Sequence, residues 1–394
     1  MRKVLLSGAA RTAIGDLNGA LSGVGAVQLG VVAASTALER SGLSGDKVEE
    51  AVFGNVLQAG QGQNPARQVA MGAGIPASVP AFTVNKVCGS GLKALELGWQ
   101  SIMLGRADAV LAGGMESMSR APYLLPAMRA GSRLGDAKAP DSIIGDGLTD
   151  VFGKYHMAIT AENVAAKYGI TRGEQDEFAL ESQRKYAAAA SRDLFAAEIA
   201  AVVIKQKKAE ARVDKDEHPR PDTTLEKLAR LPPAFKPDGT VTAGNASGIN
   251  DGAAAAVLAA EGSAAAAGLD LGRTVRVRGF AAAGCDPAEM GLGPVYAVRK
   301  LLRATGLSAG NVDLWELNEA FAAQSLAVLR DLALDPARVN VNGGAIALGH
   351  PIGASGARIV VTLVHEMKRR QSAVGVAALC IGGGMGLAVM LENM

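Results

Sequence analysis

The first and last thirds of this 394-residue chain repeat short segments in the same order, and this repeat most limits the possible folds. Gly-Leu-Ser at 42–44 recurs at 306–308, 264 residues further on. Cys-Gly-Ser-Gly at 88–91 is echoed by Gly-Ala-Ser-Gly at 353–356. Gly-Gly-Met at 113–115 recurs at 383–385. Chance similarity of glycine-rich turns is the alternative, but the common order predicts two duplicated halves.

Strand-like and helix-like runs alternate along the first half of the chain. The predicted strands are residues 4–6, 52–53, 81–84 and 109–112, the last of which is expected to end at Gly113. The predicted helices cover residues 26–40 and 92–103, where apolar residues recur at helical spacing. This alternation predicts an α/β fold with a buried sheet.

A segment of different character separates the halves. Residues 120–249 are rich in proline and contain a capping-box signature, Thr171 followed by Glu174. We interpret them as an inserted loop domain, since inserted loops on a rigid scaffold often bind substrate. The predicted organisation is therefore an N-terminal half at 1–119, completed by about 250–272, the insert at 120–249, and a C-terminal half at 273–394.

Composition excludes several classes of protein. A formal net charge of +2 disfavours a nucleic-acid partner. Apolar runs stay shorter than the roughly 18 residues of a membrane span, and the N-terminus lacks the apolar core of a signal peptide. The three cysteines are odd in number and far apart, so they predict neither a disulfide framework nor a metal site. A cytoplasmic protein without a membrane contact is expected.

Cys88 lies where a predicted strand leads into a glycine-rich turn and a helix. A tight turn projects the side chain, and the positive end of the helix would favour the thiolate. The thiolate is the reactive form, so the pattern indicates a nucleophile, although a buried inert cysteine fits it too.

Three other residues are candidates for chemistry, each with a structural alternative. His350 lies in a glycine-rich loop and precedes Pro351, which keeps it out of a helix, so it could activate a thiol or be a structural histidine. Cys380 precedes a run of glycines whose N–H groups could form an oxyanion hole, or is a small core residue. Asn318 follows an apolar stretch and could instead be an exposed helix cap. Cys285 suggests no chemistry.

Taken together, four segments resemble the thiolases, most closely the biosynthetic acetyl-CoA acetyltransferases. They are residues 87–91 (Val-Cys-Gly-Ser-Gly), 318–321 (Asn-Glu-Ala-Phe), 349–353 (Gly-His-Pro-Ile-Gly) and 380–384 (Cys-Ile-Gly-Gly-Gly). The resemblance covers the full length. It implies two duplicated halves stacked as five layers, α-β-α-β-α, with an inserted loop domain, assembled as a dimer of dimers, a homotetramer.

The resemblance also implies a reaction, the Claisen condensation of two acetyl-CoA to acetoacetyl-CoA and CoA, and the reverse thiolysis. In this ping-pong scheme His350 takes the thiol proton of Cys88, which accepts the acetyl group, and Cys380 deprotonates the second acetyl-CoA. His350 and a water held by Asn318 would form one oxyanion hole, and the N–H groups of Cys88 and Gly382 the other. No metal or cofactor is expected, since CoA is substrate and product.

By the same resemblance, the insert supplies most of the coenzyme site. The residues expected to bind substrate or CoA are Leu148 and Arg220 near the adenine, His156, Met157, Phe235, Ala243 and Ser247 along the pantetheine, and Met290, Ala320 and Phe321 towards the acyl group. The nine basic residues of 205–236, which include Lys207 and Lys208, are either part of this site or an ordinary charged loop. Met157 is bulky, which predicts short acyl groups.

Three alternatives remain open from the sequence. Broad-chain degradative 3-ketoacyl-CoA thiolases share all four segments. A decarboxylating ketosynthase uses a nucleophilic cysteine but needs no second cysteine as a base. A non-catalytic lipid carrier of the same fold could dispense with the catalytic residues, all of which are kept here.

Overall fold

The computed structural model describes residues 2–205 and 210–394, so Lys207 and Lys208 lie outside the described residues. The strands are Val4–Thr12 (β1), Gly15–Asp16 (β2), Glu50–Gly54 (β3), Ala81–Val84 (β4), Ala109–Ser117 (β5), Ile199–Ala200 (β6), Val202–Lys205 (β7), Glu210–Val213 (β8), Asn250–Ala260 (β9), Val275–Gly284 (β10), Leu314–Leu317 (β11), Val374–Ile381 (β12) and Met385–Asn393 (β13). The helices are Ala26–Ser41 (α1), Pro65–Gly72 (α2), Ser90–Met103 (α3), Met157–Tyr168 (α4), Arg172–Ser191 (α5), Leu225–Ala229 (α6), Gly293–Thr305 (α7), Ala322–Leu332 (α8), Ala345–Leu348 (α9) and Ile352–Arg370 (α10).

The two halves have the same strand order. In the first half the order is β1-β9-β5-β3-β4, and in the second it is β10-β13-β12-β11. Within each half the first two pairs are antiparallel and the next is parallel, β5-β3 in the first half and β12-β11 in the second. The first half adds a further parallel pair, β3-β4. A parallel bridge between Trp315 and Val339 takes the place of β4 in the second half. The predicted duplication is therefore visible in the topology, and a short antiparallel pairing of β1 with β10 joins the two sheets.

Three apolar clusters define five layers. One cluster packs α1 and α2 on the outer face of the first sheet, through residues such as Leu29 and Leu111. A second contains α3 and α10 between the two sheets and touches both, for example through Leu258 and Leu379. A third packs α7 and α8 on the outer face of the second sheet. The predicted α-β-α-β-α arrangement is confirmed.

Only some of the repeated sequence segments occupy equivalent positions in the two halves. Gly42 and Gly306 both end a helix in the left-handed conformation, with φ of 75° and 70°, as equivalent positions should. The match of 113–115 with 383–385 is coincidental, because the first segment lies inside β5 and the second begins in the turn between β12 and β13.

The prediction that a strand ends at Gly113 is also wrong, since β5 continues to Ser117. The glycine pair serves close packing within the strand and does not stop it. A Cβ on Gly113 would lie 2.3 Å from the carbonyl oxygen of Ala254, and one on Gly114 would lie 2.2 Å from that of Gly353. Glycine lets the backbones of β5, β9 and the start of α10 approach each other.

Helices α4 and α5 of the insert pack against α8 and α9 of the second half. The predicted capping box is present: the N–H of Thr171 donates to Glu174 Oε2 at 2.7 Å, and the N–H of Glu174 donates to Thr171 Oγ1 at 3.2 Å. Within the described part of the chain, no helix is long and apolar enough to cross a membrane.

Candidate active site

A cavity of about 880 Å³ opens between the insert and the two halves, at the N-terminal ends of α3 and α10. Three of the five predicted catalytic residues line it: Cys88, His350 and Gly382. All ten predicted binding residues line it as well: Leu148, His156, Met157, Arg220, Phe235, Ala243, Ser247, Met290, Ala320 and Phe321. The sequence motifs therefore meet in one place, although they are spread over most of the chain.

Cys88 lies in a strained turn between β4 and α3. The preceding residue, Val87, has a φ of 47°, a conformation that β-branched residues rarely adopt. Ser90 closes the turn, because its Oγ accepts from the N–H of Lys86 at 2.8 Å and donates to the carbonyl of Val87 at 2.7 Å. Such strain persists only where the surroundings hold it, and here it presents the thiol to the cavity.

The prediction that the helix end favours the Cys88 thiolate is wrong for the free protein. Burial raises the pKa of Cys88 to about 11, although hydrogen bonds from the backbone N–H groups of Gly382 and of Cys88 itself act in the opposite direction. The negative charge of Glu116 raises this pKa further. Desolvation outweighs the N–H groups, so Cys88 is a thiol at neutral pH and needs a base to become a nucleophile.

His350 lines the same cavity as Cys88, and its hydrogen bonds fix its tautomer. Its Nδ1 lies 2.6 Å from Ser355 Oγ, and this hydroxyl donates to the carbonyl of Pro351 at 2.9 Å. Ser355 must then accept from Nδ1–H, which leaves the lone pair on Nε2. Burial, assisted by the positive charge of Arg358, lowers the pKa of His350 to about 3, so the imidazole is neutral.

Asn318 is buried beside His350 and is not an exposed cap. Its amide nitrogen faces His350 Nε2 at 3.5 Å, and its Oδ1 accepts from Arg358 Nη2 at 3.4 Å. Arg358 in turn lies 3.6 Å from Glu316 Oε2, and both side chains are almost fully buried. The guanidinium therefore fixes which end of the Asn318 amide points to the imidazole.

Cys380 lies behind the cavity wall, at the end of β12. It packs with Met157, Met290 and Phe321 in a small apolar cluster. Burial raises the pKa of Cys380, and the negative charge of a Cys88 thiolate raises it further. Gly382, two residues after Cys380, donates its backbone N–H to Cys88, so the end of β12 lies beside Cys88. Cys285 also acts on Cys380 electrostatically, and its N–H donates to the carbonyl of Gly384 at 2.7 Å, which supports the glycine turn after Cys380.

Two supporting residues were not found from the sequence. Asn250 Oδ1 accepts from the N–H of His350 at 2.8 Å, and Gly349, with a φ of 103°, brings the loop close to it. Glu116 accepts from the N–H of Gly353 at 3.0 Å and from Asn55 Nδ2 at 2.7 Å, which ties α10 to the first half. Their partners lie far away in sequence, so no local pattern marks them.

Ser355 and Arg358 are a different case, because the glycine-rich echo at 353–356 and the start of α10 lie beside His350 in sequence. A serine five residues after the histidine, at the first turn of a helix, was a signal that could have been used. Among residues 2–205 and 210–394, the structure brings together no group of three or more side chains that could hold a metal ion.

Comparisons with known proteins identify the family. Residues 4–262 match the N-terminal domain of thiolase, and residues 271–393 match its C-terminal domain. An acetyl-CoA acetyltransferase of Pseudomonas aeruginosa is 56% identical over 394 residues, and one of Escherichia coli is 53% identical over 395, with 100% of both chains covered in each case.

Solved structures match over the full length of this chain. The acetyl-CoA acetyltransferase of Bacillus anthracis superposes with a TM-score of 0.97 at 44% identity, covering 100% of this chain and 99% of that one. Human mitochondrial 3-ketoacyl-CoA thiolase gives a TM-score of 0.96 at 46% identity, with the same coverage. The chain belongs to the thiolase family.

Proposed function

We propose that this protein is an acetyl-CoA C-acetyltransferase, which condenses two acetyl-CoA to acetoacetyl-CoA and CoA and catalyses the reverse thiolysis. The observation that supports the proposal is that Cys88, His350 and Gly382 line one cavity, while Cys380 lies two residues before Gly382 at the end of β12. The full-length relatives named acetyl-CoA acetyltransferase support the same substrate class.

The first half-reaction acetylates Cys88. His350 Nε2 takes the thiol proton, and the sulfur attacks the thioester carbon of acetyl-CoA. The N–H groups of Cys88 and Gly382, which point to this sulfur in the free protein, are suited to hold the developing oxyanion. The departing CoA thiolate takes a proton from Cys380, so that the acetyl-enzyme holds a Cys380 thiolate opposite a protonated His350.

The second half-reaction forms the carbon–carbon bond. The Cys380 thiolate removes a proton from the methyl group of the second acetyl-CoA, and the raised pKa of this thiol makes its thiolate a strong base. The carbanion attacks the acetyl group, and Cys88 leaves and regains its proton from His350. Asn318 faces Nε2, where a bound water and the imidazole would stabilise the enolate oxygen. All protons balance over the cycle.

The acyl pocket favours short substrates. Met157, Met290 and Phe321 are buried around Cys380 and fill the space into which a longer acyl chain would extend. We therefore expect thiolysis of 3-ketoacyl-CoA to fall sharply beyond four carbons. Equal rates with C4 and C10 substrates would instead identify a broad-chain degradative thiolase.

The insert is proposed to bind CoA mainly through its apolar tunnel. The rings of His156 and Phe235 stack with centroids 4.4 Å apart and form one wall of the cavity. The division of the chain at 1–119, 120–249 and 273–394, the homotetramer and the cytoplasmic location stay predictions.

Mass spectrometry of the intact protein tests the proposal directly. After brief exposure to acetyl-CoA, one acetyl group should appear and map to Cys88, and addition of CoA should remove it. A protein that stays unmodified, or carries the group on another residue, would refute the mechanism. Turnover of malonyl-CoA with loss of carbon dioxide would indicate a ketosynthase.

A further inference from the structure

The stretch at residues 216–220 of the insert is fixed to the first half by consecutive side chains. Asp216 accepts from the guanidinium of Arg11 at 2.6 and 2.9 Å, and both side chains are fully buried. Glu217 accepts from the backbone N–H of Asp16 at 3.0 Å. Strong, partly buried contacts of this kind hold a loop in one conformation.

Asp16 is the centre of the next contacts in this stretch. Its Oδ1 accepts from His218 Nδ1 and, at 3.3 Å, from Asn250 Nδ2, and its Oδ2 lies 3.6 Å from Arg220 Nη2. The N–H of Arg220 also donates to Gln183 Oε1 at 2.9 Å. One carboxylate on β2 thus contacts both the imidazole of His218 and the guanidinium of Arg220.

His218 and Arg220 both line the cavity, in front of Asp16. The side chain of Arg220 is 66% exposed, whereas that of Asp16 is 28% exposed. A long exposed arginine loses conformational entropy when it binds a ligand, and a partner that restrains it beforehand reduces this loss. The imidazole is held tightly too, since a Cβ on Gly248 would lie 2.4 Å from His218 Cε1.

We propose that Asp16 is a positioning residue for the coenzyme: it holds His218 and Arg220 at the cavity so that they contact the phosphate and adenosine end of CoA. This inference rests on the proposed function, because CoA is the occupant. Asp16 acts through its two partners and does not take part in the chemistry at Cys88.

Substituting Asp16→Asn tests this, because it keeps the shape and removes the charge. We expect the Kd of CoA, measured by calorimetry, to rise about tenfold, as for loss of charge-assisted contacts. In thiolysis of acetoacetyl-CoA, KM for CoA should rise by a similar factor with little change in kcat. With pantetheine as the thiol, which lacks the phosphates and adenosine, KM for the thiol should be the same in the variant and in the unmodified protein.

The matched control is Asp214→Asn, which removes another carboxylate of the insert, one that does not line the cavity and whose partner is the neighbouring Arg212. This variant should change KM for CoA and KM for pantetheine by less than about twofold, since exposed ion pairs contribute little. If Asp16 acts through Arg220, the double variant Asp16→Asn with Arg220→Gln should raise the Kd of CoA by less than the product of the two single-variant factors.

Several outcomes would overturn the inference. They are an unchanged Kd of CoA in Asp16→Asn, equal losses with CoA and pantetheine, or independent effects of Asp16 and Arg220. Should Asp16→Asn fail to fold, His218→Gln and Arg220→Gln carry the same comparison of the two thiols, and an equal loss with both again contradicts the proposal. Failure of the proposed function looks different: the unmodified protein would show no thiolysis, while the calorimetric comparison would still report on Asp16.

Discussion

The two halves of the molecule place side chains at equivalent points and use them differently. Cys88 and His350 each precede a central helix by two residues, α3 in the first half and α10 in the second. Asn55 and Asn318 each follow directly after an equivalent strand, β3 and β11. The duplication therefore gives two sets of positions around one cavity.

The asparagines show what separates the sets. Asn55 Nδ2 donates to Glu116 at 2.7 Å and to the carbonyl of Met115 at 3.2 Å, so its amide nitrogen is engaged in structural hydrogen bonds. Asn318 is turned by Arg358 and faces His350 instead. The carboxylate of Glu116 binds the amide nitrogen of Asn55, whereas the guanidinium of Arg358 binds the amide oxygen of Asn318 and leaves its nitrogen facing His350. The two asparagines occupy equivalent positions in the fold, and the charge of the neighbouring side chain determines their different roles.

Replacing each of the two cysteines with serine should give the largest loss of turnover. The two variants test whether Cys88 carries the acetyl group and Cys380 acts in the condensation. Cys88→Ser should abolish the acetyl-enzyme and lower turnover at least about 10⁴-fold, because a serine hydroxyl is a far weaker nucleophile here. Cys380→Ser should still take up one acetyl group at Cys88 but lose condensation about 10²–10⁴-fold. Rapid-quench mass spectrometry separates the two steps, and normal condensation by Cys380→Ser would show that the roles are wrongly assigned.

The paired asparagine variants probe the comparison most directly. Asn318→Ala should lower kcat about 10²–10³-fold, as for loss of one oxyanion contact, with a small change in Tm. Asn55→Ala should leave kcat within about threefold but lower the free energy of unfolding by about 1–3 kcal/mol, because Glu116 loses a buried partner. Kinetics and thermal unfolding of both variants are the measurement. Similar kinetic losses in the two would mean that the halves are not specialised as described.

Arg358 should have a smaller effect, confined to the second half-reaction. Arg358→Met alone leaves Glu316 buried without its partner, so the double variant Arg358→Met with Glu316→Gln is the appropriate test. Without the guanidinium the Asn318 amide can rotate, and condensation should slow about tenfold while acetylation of Cys88 stays nearly unchanged. An equal slowing of both steps would point to a general loss of structure.

The fold and the candidate catalytic residues could be predicted because short contiguous stretches of the sequence encode them. Cys88, Asn318, His350 and Cys380 each lie in a short contiguous motif, and strand and helix patterns gave the α/β layers. The supporting residues depend on distant partners: Asn250 lies 100 positions from His350, and Glu116 lies 237 positions from Gly353. The charge state of Cys88 was predicted wrongly for a related reason, since the turn is visible in the sequence but its burial is not.

The smallest expected effect is on the pH dependence of the free energy of unfolding. It concerns the residues that precede the two central helices. Cys88 and His350 are both neutral at pH 7 because burial disfavours their charged forms. The pKa of His350 is about 3 in the folded protein and about 6.5 when unfolded, so between these values the unfolded state binds more protons and stability falls as the pH is lowered.

This group alone should cost about 1 kcal/mol of unfolding free energy between pH 6.5 and 5.5. The buried His365, whose pKa is also lowered by its burial, adds a loss of the same sign. Chemical denaturation at several pH values should therefore show that stability falls less steeply with decreasing pH in His350→Gln than in the unmodified protein, with the His365 part kept. An identical slope in both proteins would show that burial does not lower the pKa of His350 in the folded protein.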